Sequence, residues 1–210
     1  MYMKKVFGIL VAILICSTMA MCIGQKGIPE SFIQDYQKVE LTQKEIETTY
    51  RAYEDQVNKR IEYVEKNKDS SVDHDYVLSL LESENLLINE LDQKSAIYST
   101  QINDLFTKTK DIENKDAKSK SNELIITLRN SQQFLTSGIA RLRAATKSTG
   151  GAIYYYATGA DLTDPIIKKE IEDLSLDSKT QFAESVIALN QYYTLTKEAN
   201  STYQEIIKLK

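Results

Sequence analysis

Tryptophan is absent from this 210-residue chain, proline occurs only twice, and glycine seven times. Proline and glycine are the strongest interrupters of regular structure. So few of them over this length disfavours many short strands joined by tight turns and favours long helices. The only cysteines are Cys16 and Cys22, both near the N-terminus. The rest of the chain can therefore form neither an internal disulfide nor a thiolate metal site. There is one histidine, His74. Paired Glu-x-x-His motifs of the di-iron bundle type are impossible in one such chain, and any imidazole base would have to be His74 itself. No haem-attachment, phosphate-loop or dinucleotide fingerprint occurs. These absences lead us to expect a protein that is not an enzyme, with no catalytic residues, no metal and no cofactor.

Formal net charge is −4. Removing residues 1–22 takes away Lys4 and Lys5 and no acid, leaving 24 bases against 30 acids, or −6. A mildly acidic chain of mixed sign cannot neutralise a run of phosphates, so no nucleic-acid partner is expected. What is abundant is tyrosine, at 13 residues. A phenol brings apolar area together with a hydroxyl that needs a partner or water, which suits a thin, half-wet core.

At the N-terminus Lys4 and Lys5 precede an apolar run, Val6 to Ile15, that fades through Cys16 to Ile23. A short basic region before an apolar core is the pattern of a secretory signal. Val6 to Ile23 is also just long enough to span a bilayer, so an uncleaved anchor is the alternative. Either way the two lysines hold the N-terminus in the cytoplasm and place the body outside. Cys22 follows the apolar core and precedes Ile23-Gly24-Gln25. This segment, about the first tenth of the chain, resembles the lipobox of prokaryotic lipoproteins. It departs from the usual pattern at Met21 and Met19, where a small residue and leucine are common. The resemblance implies lipid attachment at Cys22, which would become the mature N-terminus. Cleavage after Thr18-x-Ala20, releasing a soluble form, is the third possibility. The expected organisation is a signal or anchor over 1–22, a tether over 23–30, and a helical bundle over 31–210.

The body reads as four amphipathic helices. Val77, Leu81, Glu84, Ile88, Leu91, Ser95, Tyr98, Ile102, Leu105, Thr109 and Ile112 alternate four and three apart without a break, which is the seam of a coiled coil or narrow bundle. A first helix over about 31–67 has its stripe at Phe32, Tyr36, Val39, Gln43, Ile46, Tyr50, Tyr53, Val57, Ile61 and Val64, with Ser31 and Gln34 fitting a capping box. The second spans about 73–113, capped by Asp73 or, one turn earlier, by Ser71. A third, over 119–158, has Leu124, Leu128, Ser131, Leu135, Gly138, Leu142, Ala145, Thr149, Ala152 and Tyr156 in phase across Gly150-Gly151, with Gly159 as its stop. Asp164 and Pro165 open a fourth, over 164–209, with Ile167, Ile171 and Leu174 leading to Phe182, Val186, Leu189, Tyr193, Thr196, Asn200, Tyr203 and Ile207. Between Glu113 and Glu123 the only apolar residue is Ala117, and the seam is expected to lapse there. Four helices near forty residues imply an all-α, elongated, antiparallel up-down-up-down four-helix bundle, coiled-coil-like in its packing. A dimer of two long hairpins is the alternative architecture, so an oligomer is possible.

Reflection about the three turns brings Glu84 level with Val57, Gly150 and Glu172. A carboxylate on a buried seam needs a partner, and Arg60 lies near enough to be one. Glu84 and Arg60, beside the two glycines, are one candidate ligand contact. Tyr154, Tyr155 and Tyr156 are another, for a partner or a sugar, because three consecutive helical positions about 100° apart cannot all face inward. His74 with Asp73, Asp75, Asp161 and Asp164 could reach a cation, though acids at helix starts are expected from capping alone. Asn200-Ser201-Thr202 matches a glycosylation acceptor. The expected function is that of a membrane-tethered, extracytoplasmic scaffold or protein-interaction module, a lipoprotein whose partner is an envelope protein. The alternative is a sensor-like bundle that binds a small ligand between its helices and works through a separate protein.

Overall fold

The structure, a computed structural model, describes residues 27–67 and 72–209. The N-terminal apolar run and Cys22 lie outside those residues, and so do the expectations of a signal, an anchor and a lipid. Among the described residues no helix is long and apolar enough to cross a membrane.

Four helices pack against one another: α1 (Glu30–Asn67), α2 (His74–Lys108), α3 (Lys115–Ala157) and α4 (Pro165–Ile206). Their 38, 35, 43 and 42 residues correspond to roughly 50–65 Å each at a rise of 1.5 Å per residue. A 3-10 turn, Thr109–Asp111, closes α2.

The helix ends follow their local chemistry. The Asp73 carboxylate accepts the Tyr76 N–H at 3.0 Å, and the Asp164 carboxylate accepts the Ile166 N–H at 2.8 Å, with Pro165 in the first helical position. Gly159 has φ +67°. Its N–H donates to the Tyr156 carbonyl at 3.3 Å while the Ala160 N–H donates to that of Tyr155 at 3.1 Å. This is the Schellman pair of bonds that needs a left-handed residue just past the helix. Two expected boundaries are corrected. Ser31 makes no capping box: α1 begins at Glu30, the Pro29 carbonyl accepts the Phe32 N–H at 3.0 Å, and the Gln34 amide donates to Glu30 at 3.1 Å. Ser31 is already inside the first turn, past the point where it could cap. α3 begins at Lys115 rather than 119, because the Asn114 side chain accepts the N–H groups of Asp116 and Ala117, both at 3.0 Å. The seam does not lapse there. It continues through buried Ala117 and Ser121, whose hydroxyl donates to the Ala117 carbonyl at 2.7 Å.

All eleven expected seam residues of α2, Val77 to Ile112, are buried. Polar pairs cross from it to both neighbours. The Gln43 amide donates to the Tyr98 hydroxyl at 3.1 Å, and Thr49 donates to Glu90 at 3.0 Å. On the other side Tyr98 and Ser131 share a bond of 2.8 Å, and Arg143 donates to Asp92 at 2.5 Å. Between α3 and α4, Lys120 pairs with Glu205 at 2.5 Å and Ser148 with Asp177 at 2.6 Å. In each pairing the residue number rises on one helix as it falls on the other.

The four sides are unequal. α3 and α4 approach most closely, across small residues. A Cβ added to Gly138 would lie 2.7 Å from Leu189 Cγ and 3.6 Å from Ala188 Cβ. α1 and α4 instead meet through rings, with Tyr36 stacked on Tyr203 (centroids 3.7 Å apart) and Tyr50 tilted against Tyr193 at 6.3 Å. This asymmetry corrects the expected stripe of α4. Its buried face runs Ser185, Ala188, Leu189, Tyr192, Thr196, Ala199, Tyr203 and Ile206: Leu189, Thr196 and Tyr203 are buried as expected, and the positions between them shift by one residue. Small Ser185, Ala188 and Ala199 go inward, while Val186, Tyr193 and Asn200 sit half-buried at the flank. From Pro165 to Glu184, only Ile171 is buried.

The glycines of α3 separate two effects. Alanine at position 138 gains about 1 kcal/mol of helix propensity but forces Leu189, itself 2% exposed, to move. Overpacking of that kind costs roughly 1–3 kcal/mol. Gly138→Ala is expected to lower the urea midpoint, whereas Gly150→Ala, whose added Cβ would meet nothing nearer than Leu81 Cδ1 at 3.9 Å, is expected to raise it. A midpoint raised by Gly138→Ala would show that the close approach of α3 and α4 is absent in solution.

Candidate functional site

Glu84 sits on the α2 seam with its side chain 0% exposed, and Arg60 reaches it from α1. The guanidinium Nε donates to Oε1 at 2.6 Å and a terminal nitrogen donates to Oε2 at 3.3 Å. A planar fork matches a carboxylate in this way and satisfies both of its oxygens. Burial pushes the Glu84 carboxyl above its ordinary range, and the Arg60 hydrogen bond and charge oppose that push. The sequence register correctly brought these two residues together. It also placed Gly150 beside them, but the side chain nearest Gly150 is Leu81, one turn closer to the helix end. Two open depressions on the surface, one along α1 from Lys44 to Asp55 and one formed by Gly27, Ile28, Pro29, Asp111 and Glu113, include neither Glu84 nor Arg60. The pair locks α1 to α2, with both carboxylate oxygens of Glu84 held by Arg60.

The tyrosine run lies where the α1–α2 and α3–α4 connections meet. Tyr154 is 61% exposed and Tyr156 44% exposed. Half-buried Tyr155 lies beside Glu170, whose carboxylate raises the pKa of its hydroxyl. Tyr156 was expected on the α3 seam. Instead its ring stacks on His74 at 5.9 Å across the bundle end. Tyr63 and Tyr76 meet edge-on at 4.7 Å, and the Asp73 N–H donates to the Tyr63 hydroxyl at 3.3 Å. Ile61 and Val64, also expected in a seam, are exposed here, as are Tyr76, Leu162 and Ile166. Among the described residues, seven of the 15 large exposed apolar side chains therefore lie at this one end, a concentration that scattered surface apolar residues do not produce. Sequence reasoning named the tyrosines but missed the aliphatic half of the surface, which is invisible while Ile61 and Val64 are counted as core.

His74 is committed to that ring contact. Asp73 and Asp164 are caps. Asp161 accepts the Thr163 N–H at 2.9 Å and the Thr163 hydroxyl at 2.6 Å, which holds its carboxyl below the usual range. No group of three or more potential metal ligands comes together among the described residues. Asn200 accepts a hydrogen bond from the Tyr36 hydroxyl in the α1–α4 seam, so its amide faces the bundle rather than open solvent.

Sequence reasoning did not single out the middle of the core. Tyr98 is fully buried, bonded to Gln43 and Ser131, and set edge-on to Tyr192 at 6.1 Å. Burial pushes its hydroxyl up to about 12. The signal was present in the polar seam positions Gln43 and Ser131. The Tyr192 hydroxyl is buried with no hydrogen-bond partner among the described residues. No family model, curated protein or solved structure matches the chain.

Removing Arg60 strands a buried carboxylate, which costs roughly 3–5 kcal/mol, whereas replacing both partners by apolar residues is close to neutral. Arg60→Ala is thus expected to be far more destabilising than Arg60→Leu/Glu84→Leu. The pH dependence has a definite sign. A carboxyl whose folded pKa is raised binds its proton more tightly in the native state, so stability falls as pH rises from the ordinary value of 4.5 through the folded value. Arg60→Ala removes the opposing influence, so its deficit in urea midpoint should grow from pH 4 to pH 7, while Glu84→Gln should flatten that slope. An Arg60→Ala deficit independent of pH would show that Glu84 is not buried as a charge.

Proposed function

We propose that this protein is a membrane-tethered, extracytoplasmic, non-enzymatic scaffold whose exposed bundle end is a protein-binding surface. The helices run up-down-up-down and antiparallel, a reading supported by the opposed numbering of every inter-helix polar pair described above. The signal-like segment and Cys22 supply the tether, with a lipid on Cys22 as the attachment. The first described residues support this placement. The Glu113 N–H donates to the Gly27 carbonyl at 3.1 Å, Ile28 is buried, and a Cβ on Gly27 would lie 3.2 Å from Asn114 Cβ. The chain thus enters the bundle at the α2–α3 turn, the end opposite the tyrosines. Four residues lie between Cys22 and Gly27, and the five steps reach at most about 18 Å. The bundle base would lie close to the lipid and the tyrosine end would stand out by a full helix length.

The observation that carries this reading is the exposed apolar surface at the end farthest from the tether. Pull-down from envelope extract with the full chain should lose its partner when Tyr154→Ser/Tyr156→Ser replaces wild type, with the circular dichroism of the two unchanged. Identical catches would remove the tyrosine end as the contact. Mass spectrometry of the native protein should find a diacylated Cys22 at the N-terminus; an intact Met1 would replace the lipid with an uncleaved anchor.

A second reading, a small ligand held between the helices as in a sensor bundle, has one observation in its favour: the unpartnered Tyr192 hydroxyl. A ligand that fills that position raises the melting temperature by mass action. The absence of any shift across a metabolite panel would sink it.

A further inference from the structure

The exposed end has a charge as well as an apolar surface. Over residues 61–67, 72–80 and 150–170 there are seven carboxylates and three lysines, a local net charge of −4 within segments that the His74–Tyr156 and Tyr63–Tyr76 contacts hold together. Lys68 and Asp69, between the first two segments, cancel each other in formal charge. Glu62 and Asp75 are exposed beside the apolar residues and have no structural role in the fold comparable to the caps Asp73 and Asp164. The bland explanation, acids favoured at helix starts, covers Asp75 and Asp164. It does not cover Glu62, which falls in the C-terminal part of α1, where the helix dipole disfavours acids.

Charge decides among the occupants. A second copy meeting end to end would bring like charge against like charge, and an anionic lipid surface would do the same. We propose that the end docks a cationic protein surface whose arginines surround an apolar centre. The apolar centre would cover Ile61, Leu162 and Ile166, while guanidinium groups would pair with Glu62 and Asp75 and lie on the open faces of Tyr154 and Tyr156. Arginine is favoured over lysine because its planar, weakly hydrated head stacks on an aromatic ring and forks onto a carboxylate. This inference rests on the reading of the bundle end as a protein contact and adds the chemistry of what it contacts.

The test uses fluorescent peptides of alternating arginine and leucine, lysine and leucine, and glutamate and leucine, titrated against the full chain in detergent. The arginine peptide should bind most tightly and the glutamate peptide least. The arginine affinity should fall about tenfold between 0.05 and 0.5 M salt, as screening shortens the reach of exposed charges. Glu62→Lys/Asp75→Lys should abolish arginine-peptide binding and create binding of the glutamate peptide. The matched reversal at the opposite end, Asp111→Lys/Asp116→Lys, should leave the order unchanged, with circular dichroism confirming that both variants fold. Equal effects of the two reversals, equal binding of arginine and glutamate peptides to wild type, or sedimentation as an end-to-end dimer would each overturn the proposal. The underlying reading fails separately. If Tyr154→Ser/Tyr156→Ser alters what envelope extract delivers while no peptide preference is found, the contact stands and its cationic partner falls. If neither changes, both fall.

Discussion

One side chain touches all four helices. Tyr98 rises from α2, accepts a hydrogen bond from Gln43 of α1, shares another with Ser131 of α3, and presents its ring to Tyr192 of α4. A bundle this narrow has no deep interior, so large side chains bridge it and bring polar ends inside, where Tyr98 finds partners and Tyr192 has none among the described residues. A buried hydroxyl left without a partner costs about 1–3 kcal/mol. Tyr98 avoids that cost because two smaller polar residues stand where a pure hydrophobic seam would have placed leucine. Neither Gln43 nor Ser131 is a flaw in the heptad pattern once the phenol between them is seen.

The same constraint explains the unequal sides. Where α3 carries Gly138, Ala145 and Ala152, the backbone of α4 comes close enough for Leu189 to touch a glycine. The adjacent side, between α1 and α4, is wider, and its gap is filled by tyrosines on both helices. The rings can do this only where α4 supplies them, from Tyr192 onward. Towards its start α4 has one buried residue in twenty, so Ile61 and Val64 at the far end of α1 lose their cover. The apolar surface at that end is what remains of a seam whose fourth wall thins out.

How much of this was legible varied with the helix. The α2 seam was readable in full because its four-three spacing never breaks, even across the polar positions Glu84, Ser95 and Thr109. In α4, Ala188-Leu189 and Tyr192-Tyr193 offer two phases of similar hydrophobicity. The choice between them depends on how near α3 lies, a property of another helix. The start of α3 was obscured because a seam built from Ala117 and Ser121 looks like a solvated turn until the tight packing around it is known. The Glu84–Arg60 pair was legible through register alone, since the turns fix which residues can be level. Its closure was not, because whether a pair faces a cavity depends on the side chains around it.

That pair has a consequence for the surface at the end of the bundle. Aliphatic seams are permissive about alignment: Val57 and Val64 lie three and four residues from Arg60, and a one-turn slip of α1 against α2 would set one of them opposite Glu84. Leucine in place of Glu84 would accept that exchange with little penalty. A buried carboxylate would not, because it would lose both hydrogen bonds and its only countercharge, at a cost of several kcal/mol. The ion pair therefore discriminates between registers even where it adds little to stability over an apolar substitute. A surface assembled from the ends of four helices exists only when the registers agree. A slip of one turn, about 5 Å, would draw Tyr63 away from Tyr76. The discrimination sits at Glu84, near the end where misalignment would matter most.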